Sequence, residues 1–357
     1  MSSTRQRAET AVTEDGTGRR ARPAVRFALA LLACAALPGP VRADAFPSYF
    51  RGVVVPMLTP YAEGDVRAVD HTALASFTRW LCARRVSALF PVSGIGQWEL
   101  LTKEEKKRVV STVISAARGC KPVLAGVGGE SAAETLDLAR HAIQQGASAL
   151  AIVTPAFLRG STPLPQETLL GYYAEVASAL PPEVPVLLYD AKGELRPPTL
   201  RALAAAHPNV QAIKFRSDSS SDMGRMVTAA GDRIAVLTGI ESNTLATLSL
   251  GGVGVIGGGA NAFPDVLAEI FERFEARDLD GALRAQRRAI DLYDALESSV
   301  QMKYLLRELA GIPIAYSQRS GAPGRIVARD LPLDPQQLAA LKQRFADVIR
   351  PAVTPSD

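Results

Sequence analysis

The stretches Val184-Pro-Val-Leu-Leu-Tyr189 and Val210-Gln-Ala-Ile-Lys214 are two of eight short apolar runs that alternate with helical segments along the chain. The runs are rich in Val, Ile, Leu and Ala, which is typical of parallel strands buried on both faces. Eight such strand and helix units in about 200 residues predict a closed (β/α)8 barrel, the TIM barrel, with an open, doubly wound α/β sheet as the alternative. The predicted strands are residues 52–57, 87–92, 122–126, 149–153, 184–189, 210–214, 234–238 and 253–256, and helical periodicity between them covers, for example, residues 103–118, 132–144, 166–179 and 243–250.

The chain beyond Pro264 has more helical pattern than a barrel requires. We therefore expect a C-terminal helical appendage that covers one side of the barrel or builds a subunit interface. The predicted organisation is a leader at residues 1–43, a catalytic barrel at residues 44–296, and a helical extension packed on it at residues 297–357. The C-terminal helical segments are residues 265–275, 279–296, 300–309 and 334–348.

The excess of positive charge lies in the first 43 residues. The 357 residues carry a formal net charge of +4, and 47% of them are hydrophobic, so the composition is that of a protein with a full core. Residues 1–43 contain seven arginines and three acidic residues and hold the whole excess, whereas the rest has 33 basic and 33 acidic side chains. A charge-balanced barrel gives no basis for a nucleic-acid partner.

The leader has the layout of a secretory signal. Arginines at residues 19–26 precede an apolar run at residues 27–37, which is too short to span a bilayer, and small residues around Ala43 suit a cleavage site. A disordered extension or a wrongly chosen translation start would fit the same composition. Localisation is therefore open: periplasmic or secreted if the leader is a signal, cytoplasmic otherwise, with no membrane association once it is removed.

The cysteines and histidines point to no metal site. Cys34, Cys82 and Cys120 are too few for a disulfide framework, and none of them forms a CxxC pair. The three histidines share no ligand spacing, which argues against a zinc site or a Ser-His-Asp triad.

Lys214 and Tyr189 are the candidate catalytic residues, because in a (β/α)8 barrel chemistry belongs to the C-terminal ends of the strands. Lys214 closes an apolar run, so we expect its amine to be partly desolvated, its pKa to be lowered, and its neutral form to attack a carbonyl and form a Schiff base. Taken alone, it could also be a lysine that extends out of the barrel or pairs with Glu241. Tyr189 ends the preceding strand, where its hydroxyl could transfer protons beside the amine. The pair favours imine catalysis.

These motifs, in their order and spacing, resemble the pyruvate-dependent class I aldolase family of dihydrodipicolinate synthase and N-acetylneuraminate lyase. The resemblance covers about residues 50–333, most of the chain beyond the leader. The segments that carry it are Gly52-Val-Val-Val-Pro-Met-Leu-Thr-Pro60, Ser93-Gly-Ile-Gly-Gln97 with Leu101-Thr-Lys-Glu-Glu105, Val123-Leu-Ala-Gly-Val127, Val153-Thr-Pro155, Leu187-Leu-Tyr189, Ala212-Ile-Lys214 and Gly251-Gly-Val-Gly-Val-Ile-Gly257 with Ala260-Asn261.

The resemblance implies a role for each candidate. Lys214 would be the Schiff-base lysine and Tyr189 the proton-transfer residue. The 93–97 loop would bind the carboxylate of pyruvate, with Ser93, Gly94 and Ile95 as its contacts and the Ile256 backbone as the opposite wall. Exposed N–H groups in a glycine-containing turn suit that task independently of the family. The resemblance, together with the helical C-terminal additions, also suggests a homotetramer. We expect no cofactor.

Several residues depart from the family pattern. Gly94 lacks the threonine hydroxyl expected beside Tyr189, and Phe157 replaces a tyrosine of the same proton relay. After Tyr189 the chain lacks the stretch with which the synthases bind their second substrate. Arg216 and Glu241 could bind a carboxylate and hydroxyls of another 2-oxo acid or could pair with each other.

We therefore predict a divergent Schiff-base lyase, an aldolase or hydratase-aldolase/dehydratase, that acts on pyruvate or another 2-oxo acid. The alternatives are a catalytically impaired barrel that binds a 2-oxo acid, and 4-hydroxy-tetrahydrodipicolinate synthase proper.

Overall fold

Eight parallel strands form the centre of the molecule. The computed structural model describes residues 46–154, 164–190, 192–322, 325–328 and 334–349. The strands of this part are β1 (Gly52–Pro56), β2 (Tyr61–Ala62), β3 (Asp65–Val69), β4 (Ala88–Phe90), β5 (Leu124–Gly126), β6 (Ala149–Val153), β7 (Val186–Asp190), β8 (Val210–Phe215), β9 (Ala235–Thr238), β10 (Gly254–Val255), β11 (Arg319–Ala322) and β12 (Arg325–Ala328).

The sheet closes into a barrel. Its strands follow the order β4-β1-β10-β9-β8-β7-β6-β5. The two ends of this order are joined by a parallel bridge between Leu89 and Val123. Closure confirms the (β/α)8 prediction over the open sheet. Each predicted apolar run overlaps one barrel strand, and β7 and β8 extend one residue beyond theirs. Every residue of β6 and β7 is buried, as expected for strands that face the barrel interior on one side and helices on the other.

Helices surround the strands and begin and end at residues suited to those positions. Thr102 starts α2 and forms a capping box with Glu105, and Gly146 ends α3 in the left-handed conformation at φ 93°. Within the described residues, no helix combines the length and the apolar character needed to cross a bilayer. The helices are α1 (His71–Cys82), α2 (Lys103–Ala116), α3 (Ala132–Gln145), α4 (Gln166–Ser178), α5 (Pro197–Ala206), α6 (Ser220–Ala230), α7 (Thr244–Ser249), α8 (Pro264–Glu275), α9 (Leu279–Asp294), α10 (Ser299–Ala310) and α11 (Pro335–Phe345).

The C-terminal helices lie within a few residues of their predicted positions, as α8, α9, α10 and α11. The domain boundaries at residues 44 and 296 stay predictions, and the leader at residues 1–43 lies outside the described part of the chain. Phe157 lies outside it as well.

Two features differ from the sequence-based expectation. The antiparallel hairpins β2–β3 and β11–β12 lie outside the eight predicted apolar runs, because their strands are only two to five residues long. Cys82 and Cys120 form a disulfide, with Cα atoms 5.7 Å apart. The sequence excludes a disulfide framework but could not exclude this single bond, because only the fold brings the end of α1 beside the segment after α2.

Candidate active site

Lys214 and Tyr189 lie side by side at the C-terminal ends of β8 and β7. They are register partners in the parallel pair, so their side chains leave the sheet at the same level. The Nζ of Lys214 stands 4.6 Å from the centre of the Tyr189 ring, and both side chains are buried. An amine over an aromatic face in a buried site is held by the ring as well as by the strand. The predicted pair is thus brought together.

Burial changes the acid–base behaviour of Lys214. Desolvation is the main cause that lowers the pKa of Lys214 to about 8, and the neighbouring charge of Arg216 acts in the same direction. Asp190 and Glu241 act in the opposite direction. An amine with this pKa is partly neutral near pH 7, so a nucleophilic form is available.

Gly239 leaves the space in which the lysine side chain lies. A Cβ built at position 239 would overlap the Cε of Lys214 and would lie 2.6 Å from its Nζ. A residue larger than glycine would therefore displace the amine. The sequence places Gly239 directly after a predicted strand but does not reveal this contact, which depends on the register of β8 and β9.

Two buried carboxylates face the lysine region. Asp190 accepts hydrogen bonds from the backbone N–H groups of Glu194 and Leu195, at 3.0 and 2.8 Å. Glu241 accepts one from the N–H of Gly259 at 2.5 Å. Burial raises the pKa of both side chains. No ion pair joins either of them to Lys214 among the described residues, so the lysine is not neutralised by direct pairing.

Arg216 and Glu241 form no ion pair with each other in this structure. Arg216 is exposed immediately after β8, whereas Glu241 is buried. Side chains alternate along a strand, so Arg216 extends from the same side of the chain as Lys214. The charge of Arg216 nevertheless acts to lower the pKa of Glu241. Both interpretations of this pair, mutual pairing and substrate binding, therefore stay predictions.

The 93–97 loop borders the tyrosine. Ser93 donates its hydroxyl hydrogen bond to the backbone oxygen of Met57 at 3.0 Å, and the Thr59 hydroxyl donates to the Gly96 oxygen at 2.7 Å. Gly94 is exposed, and a Cβ there would lie only 2.9 Å from the Tyr189 Oη. The tyrosine hydroxyl thus occupies the space next to Gly94 into which a threonine side chain would extend.

The opposite wall of the loop is the glycine-rich segment after β10. A Cβ at Gly258 would lie 2.6 Å from the Ile95 Cδ1, so the two segments are in close contact. Ile256 is buried and donates its backbone N–H to Thr238 at 2.8 Å. Asn261 joins this wall to β1, because its amide bonds to Leu58 at 3.0 Å and to Pro56 and Gly258 at 2.8 Å. The side chains of Ile95 and Asn261 therefore fix the wall that Ile256 belongs to.

The sequence does not predict a further pair of hydrogen-bonded hydroxyl groups. Thr154, directly after β6, and Tyr173 on α4 are hydrogen-bonded through their hydroxyls at 2.8 Å in a buried position. A tyrosine on an amphipathic helix gives no signal of such a contact. No group of three or more His, Cys, Asp or Glu side chains in the described ranges is arranged to hold a metal ion.

A closed (β/α)8 barrel with a desolvated lysine and a tyrosine on adjacent strand ends belongs to the architectural class of the class I aldolases. Comparison with known proteins defines the family within that class. Residues 49–317 match the model of the dihydrodipicolinate synthetase family.

Relatives and solved structures agree with this match. A 4-hydroxy-tetrahydrodipicolinate synthase from Sorangium cellulosum is 34% identical over 249 residues, which is 69% of this chain and 80% of the relative. The YagE prophage protein of E. coli K12, solved with pyruvate, has 25% identity and a TM-score of 0.71, covering 84% of this chain and 98% of its own. The sialic acid aldolase of Ruminococcus gnavus shares the fold, with 21% identity, a TM-score of 0.74 and the same coverage. The chain belongs to the dihydrodipicolinate synthetase family.

Proposed function

We propose that this protein is a Schiff-base-forming lyase that acts on pyruvate or another 2-oxo acid. The observation that carries the proposal is the buried Lys214 amine, with its pKa lowered to about 8, beside the Tyr189 ring. Family membership supports it, since the relatives include synthases and one solved structure is a pyruvate complex.

Lys214 would act as the nucleophile. Its neutral nitrogen adds to the carbonyl carbon of the 2-oxo acid, the carbonyl oxygen takes up a proton, and loss of one water leaves a C=N bond. The protonated imine then accepts the electron pair of a bond broken at C3. If that bond is C3–H, the proton passes to a base and the product is an enamine ready for condensation. If it is C3–C4, the C4 hydroxyl gives up its proton, an aldehyde is released and the same enamine remains on Lys214.

Tyr189 would move the protons that these steps require. Its ring lies next to the Nζ, and its hydroxyl lies beside Gly94 at the edge of the loop. A hydroxyl in this position can protonate the departing oxygen of the addition intermediate and, as the phenolate, take up a proton in a later step. Asp190 is a weaker candidate, because both of its oxygens accept backbone hydrogen bonds.

The carboxylate of the substrate would bind to the 93–97 loop, and Arg216 and Glu241 would contact the remainder of the molecule. An exposed guanidinium at the barrel mouth suits a second anionic group, and a buried carboxyl whose pKa is raised suits a hydroxyl. We infer that Arg216→Ala would raise the KM for a 2-oxo acid with a distal anionic group and leave that for pyruvate unchanged.

Two other functions have specific support. Synthase relatives at 34% identity favour 4-hydroxy-tetrahydrodipicolinate synthase, although the segment after Tyr189 is short here. The absence of a side chain at Gly94 favours a barrel that binds a 2-oxo acid without turnover.

One labelling experiment tests the proposal. Incubation with pyruvate and borohydride should reduce the imine and attach a pyruvyl group to the peptide that contains Lys214, and Lys214→Arg should abolish the label. Lys303 is an internal control, because it is also buried with its pKa lowered to about 7 but donates to the Ser317 backbone oxygen at 2.6 Å. A label on Lys303 in place of Lys214, or no label on the protein, would contradict imine formation at Lys214.

Turnover assays then separate the three functions. Product from aldehydes or 2-keto-3-deoxy acids identifies the lyase, and formation of 4-hydroxy-tetrahydrodipicolinate identifies the synthase. Labelling without any turnover identifies the binder. The predicted homotetramer is tested by light scattering of the same preparation.

A further inference from the structure

The 93–97 loop can offer a carboxylate little except its backbone. Gly94 and Ile95 have no polar side chains, and the Ser93 hydroxyl is used on the Met57 oxygen. Among the described residues, neither the Gly94 nor the Ile95 N–H donates a hydrogen bond, and both residues are at least partly exposed. If the loop binds an anion, the orientation of these N–H groups decides how well it does so.

The last residue of the loop is held by a distant part of the chain. Gln97 has a left-handed backbone, with φ at 58°, and its N–H donates to the Gly94 oxygen at 3.0 Å. Its side-chain Nε2 donates to the backbone oxygen of Arg319 at 2.6 Å, and its Oε1 accepts the Arg319 N–H at 3.0 Å. A carboxamide can make both bonds, whereas a carboxylate lacks the donor for the first.

Arg319 is itself fixed on several sides. Its buried guanidinium lies 4.6 Å from the centre of the Tyr61 ring. It donates five hydrogen bonds, to the backbone oxygens of Val66, Arg67 and Leu100 and to both carboxylate oxygens of Glu105. The backbone of Arg319 therefore has a set position relative to the β2–β3 hairpin and α2.

We propose that Gln97, held by the main chain of Arg319, is a positioning residue that orients the Gly94 and Ile95 N–H groups toward the carboxylate of the 2-oxo acid. The inference rests on the proposed function and adds to it a role for the segment after α10. At one end of the loop Gln97 is bonded to Arg319, and near the other end Gly94 borders Tyr189. The bonds between Gln97 and Arg319 would therefore fix where the carboxylate lies relative to Lys214.

The test compares a charged and a neutral carbonyl compound of similar size. Pyruvate and acetone are each titrated against the wild-type protein with cyanoborohydride, and the label on the Lys214 peptide is quantified. The variants are Gln97→Glu, which keeps the size but loses the donor, and Gln97→Ala, which loses both bonds. The matched control is Gln318→Glu, because Gln318 is the neighbour of Arg319 and accepts from the Ser299 hydroxyl at 2.9 Å, which a carboxylate also does.

We expect Gln97→Glu to raise the pyruvate concentration for half-maximal labelling about tenfold, the effect of losing one hydrogen bond, and Gln97→Ala, which loses both, to raise it at least as much. The maximal labelling rate, the acetone titration and the melting temperature should stay close to those of the wild type, and Gln318→Glu should match the wild type throughout.

Unchanged pyruvate titrations in both Gln97 variants would overturn this inference alone. An equal rise in the acetone concentration for half-maximal labelling would also overturn the inference, because it would show that the variants disturb the Lys214 amine itself. Wild-type protein that labels with neither compound would overturn the proposed function and the inference together.

Discussion

Lys214 and Tyr189 are register partners on β8 and β7, and the lysine Nζ lies 4.6 Å from the centre of the tyrosine ring. Neither residue could be moved along its strand without separating the two groups, because a shift of one residue turns a side chain to the other face of the sheet. The chemistry assigned to the pair therefore depends on the register of the barrel.

Tyr189→Phe should slow turnover by about 10² to 10⁴-fold, the usual contribution of a positioned proton donor. Labelling of Lys214 should become slower and still reach completion, because phenylalanine keeps the ring against the amine. Steady-state rates and labelling time courses measure the two effects. The control is Tyr49→Phe, which removes a hydroxyl bonded to the Ser148 oxygen before β6, at the opposite end of the barrel. Equal rates in wild type and Tyr189→Phe would exclude the proton-transfer role.

Lys214→Met should stabilise the fold in a pH-dependent way. The folded-state pKa of Lys214 is about 8 against 10.5 for an ordinary lysine. Between these values the unfolded chain binds more protons, so wild-type stability rises with pH across this interval. The stability of the variant relative to the wild type should therefore be roughly 3 kcal/mol greater below pH 8 than near pH 10.5.

Urea unfolding at pH 7, 9 and 10.5 measures this difference. The buried Lys303 is present in both proteins, so its own titration cancels. Lys103→Met, at an exposed lysine of α2, is the control for replacing a lysine with methionine at the surface. A constant difference for Lys214→Met would show that burial does not lower the pKa of Lys214.

Gly239→Ala should displace the Lys214 amine from the position in which it would react with the substrate. The added Cβ would overlap the Lys214 Cε, and a displacement of the reacting atom by about 1 Å can cost about a hundredfold in rate. Pyruvate labelling should fall by that factor while circular dichroism shows a folded protein. Gly171→Ala on α4, where no atom lies within 4 Å, should label normally and gain up to about 1 kcal/mol in stability. Normal labelling of Gly239→Ala would refute the proposed contact.

The sequence predicts what depends on local pattern. The apolar runs identify every barrel strand, and Lys214 and Tyr189 are found because each ends such a run. Contacts between distant residues give no local signal, which is why the pair of Gln97 with Arg319, 222 residues apart, was not foreseen. Gly239 was missed for a related reason: its importance lies in the side chain that it admits from the neighbouring strand.

The Cys82–Cys120 disulfide should contribute about 2 to 4 kcal/mol to the free energy of unfolding. It closes a loop with a sequence separation of 38, and a loop of this length restricts the unfolded chain considerably. Urea unfolding with and without dithiothreitol measures the contribution, and the double variant Cys82→Ser with Cys120→Ser should be insensitive to the reductant.

The same bond provides a test of the leader, because disulfides persist in oxidising compartments and are rare in the cytosol. If residues 1–43 direct export, native protein should begin near Ala43 and contain Cys82 and Cys120 in oxidised form. N-terminal sequencing and mass spectrometry after thiol alkylation measure both properties on one sample. Protein that retains the leader and has both cysteines alkylated would contradict export.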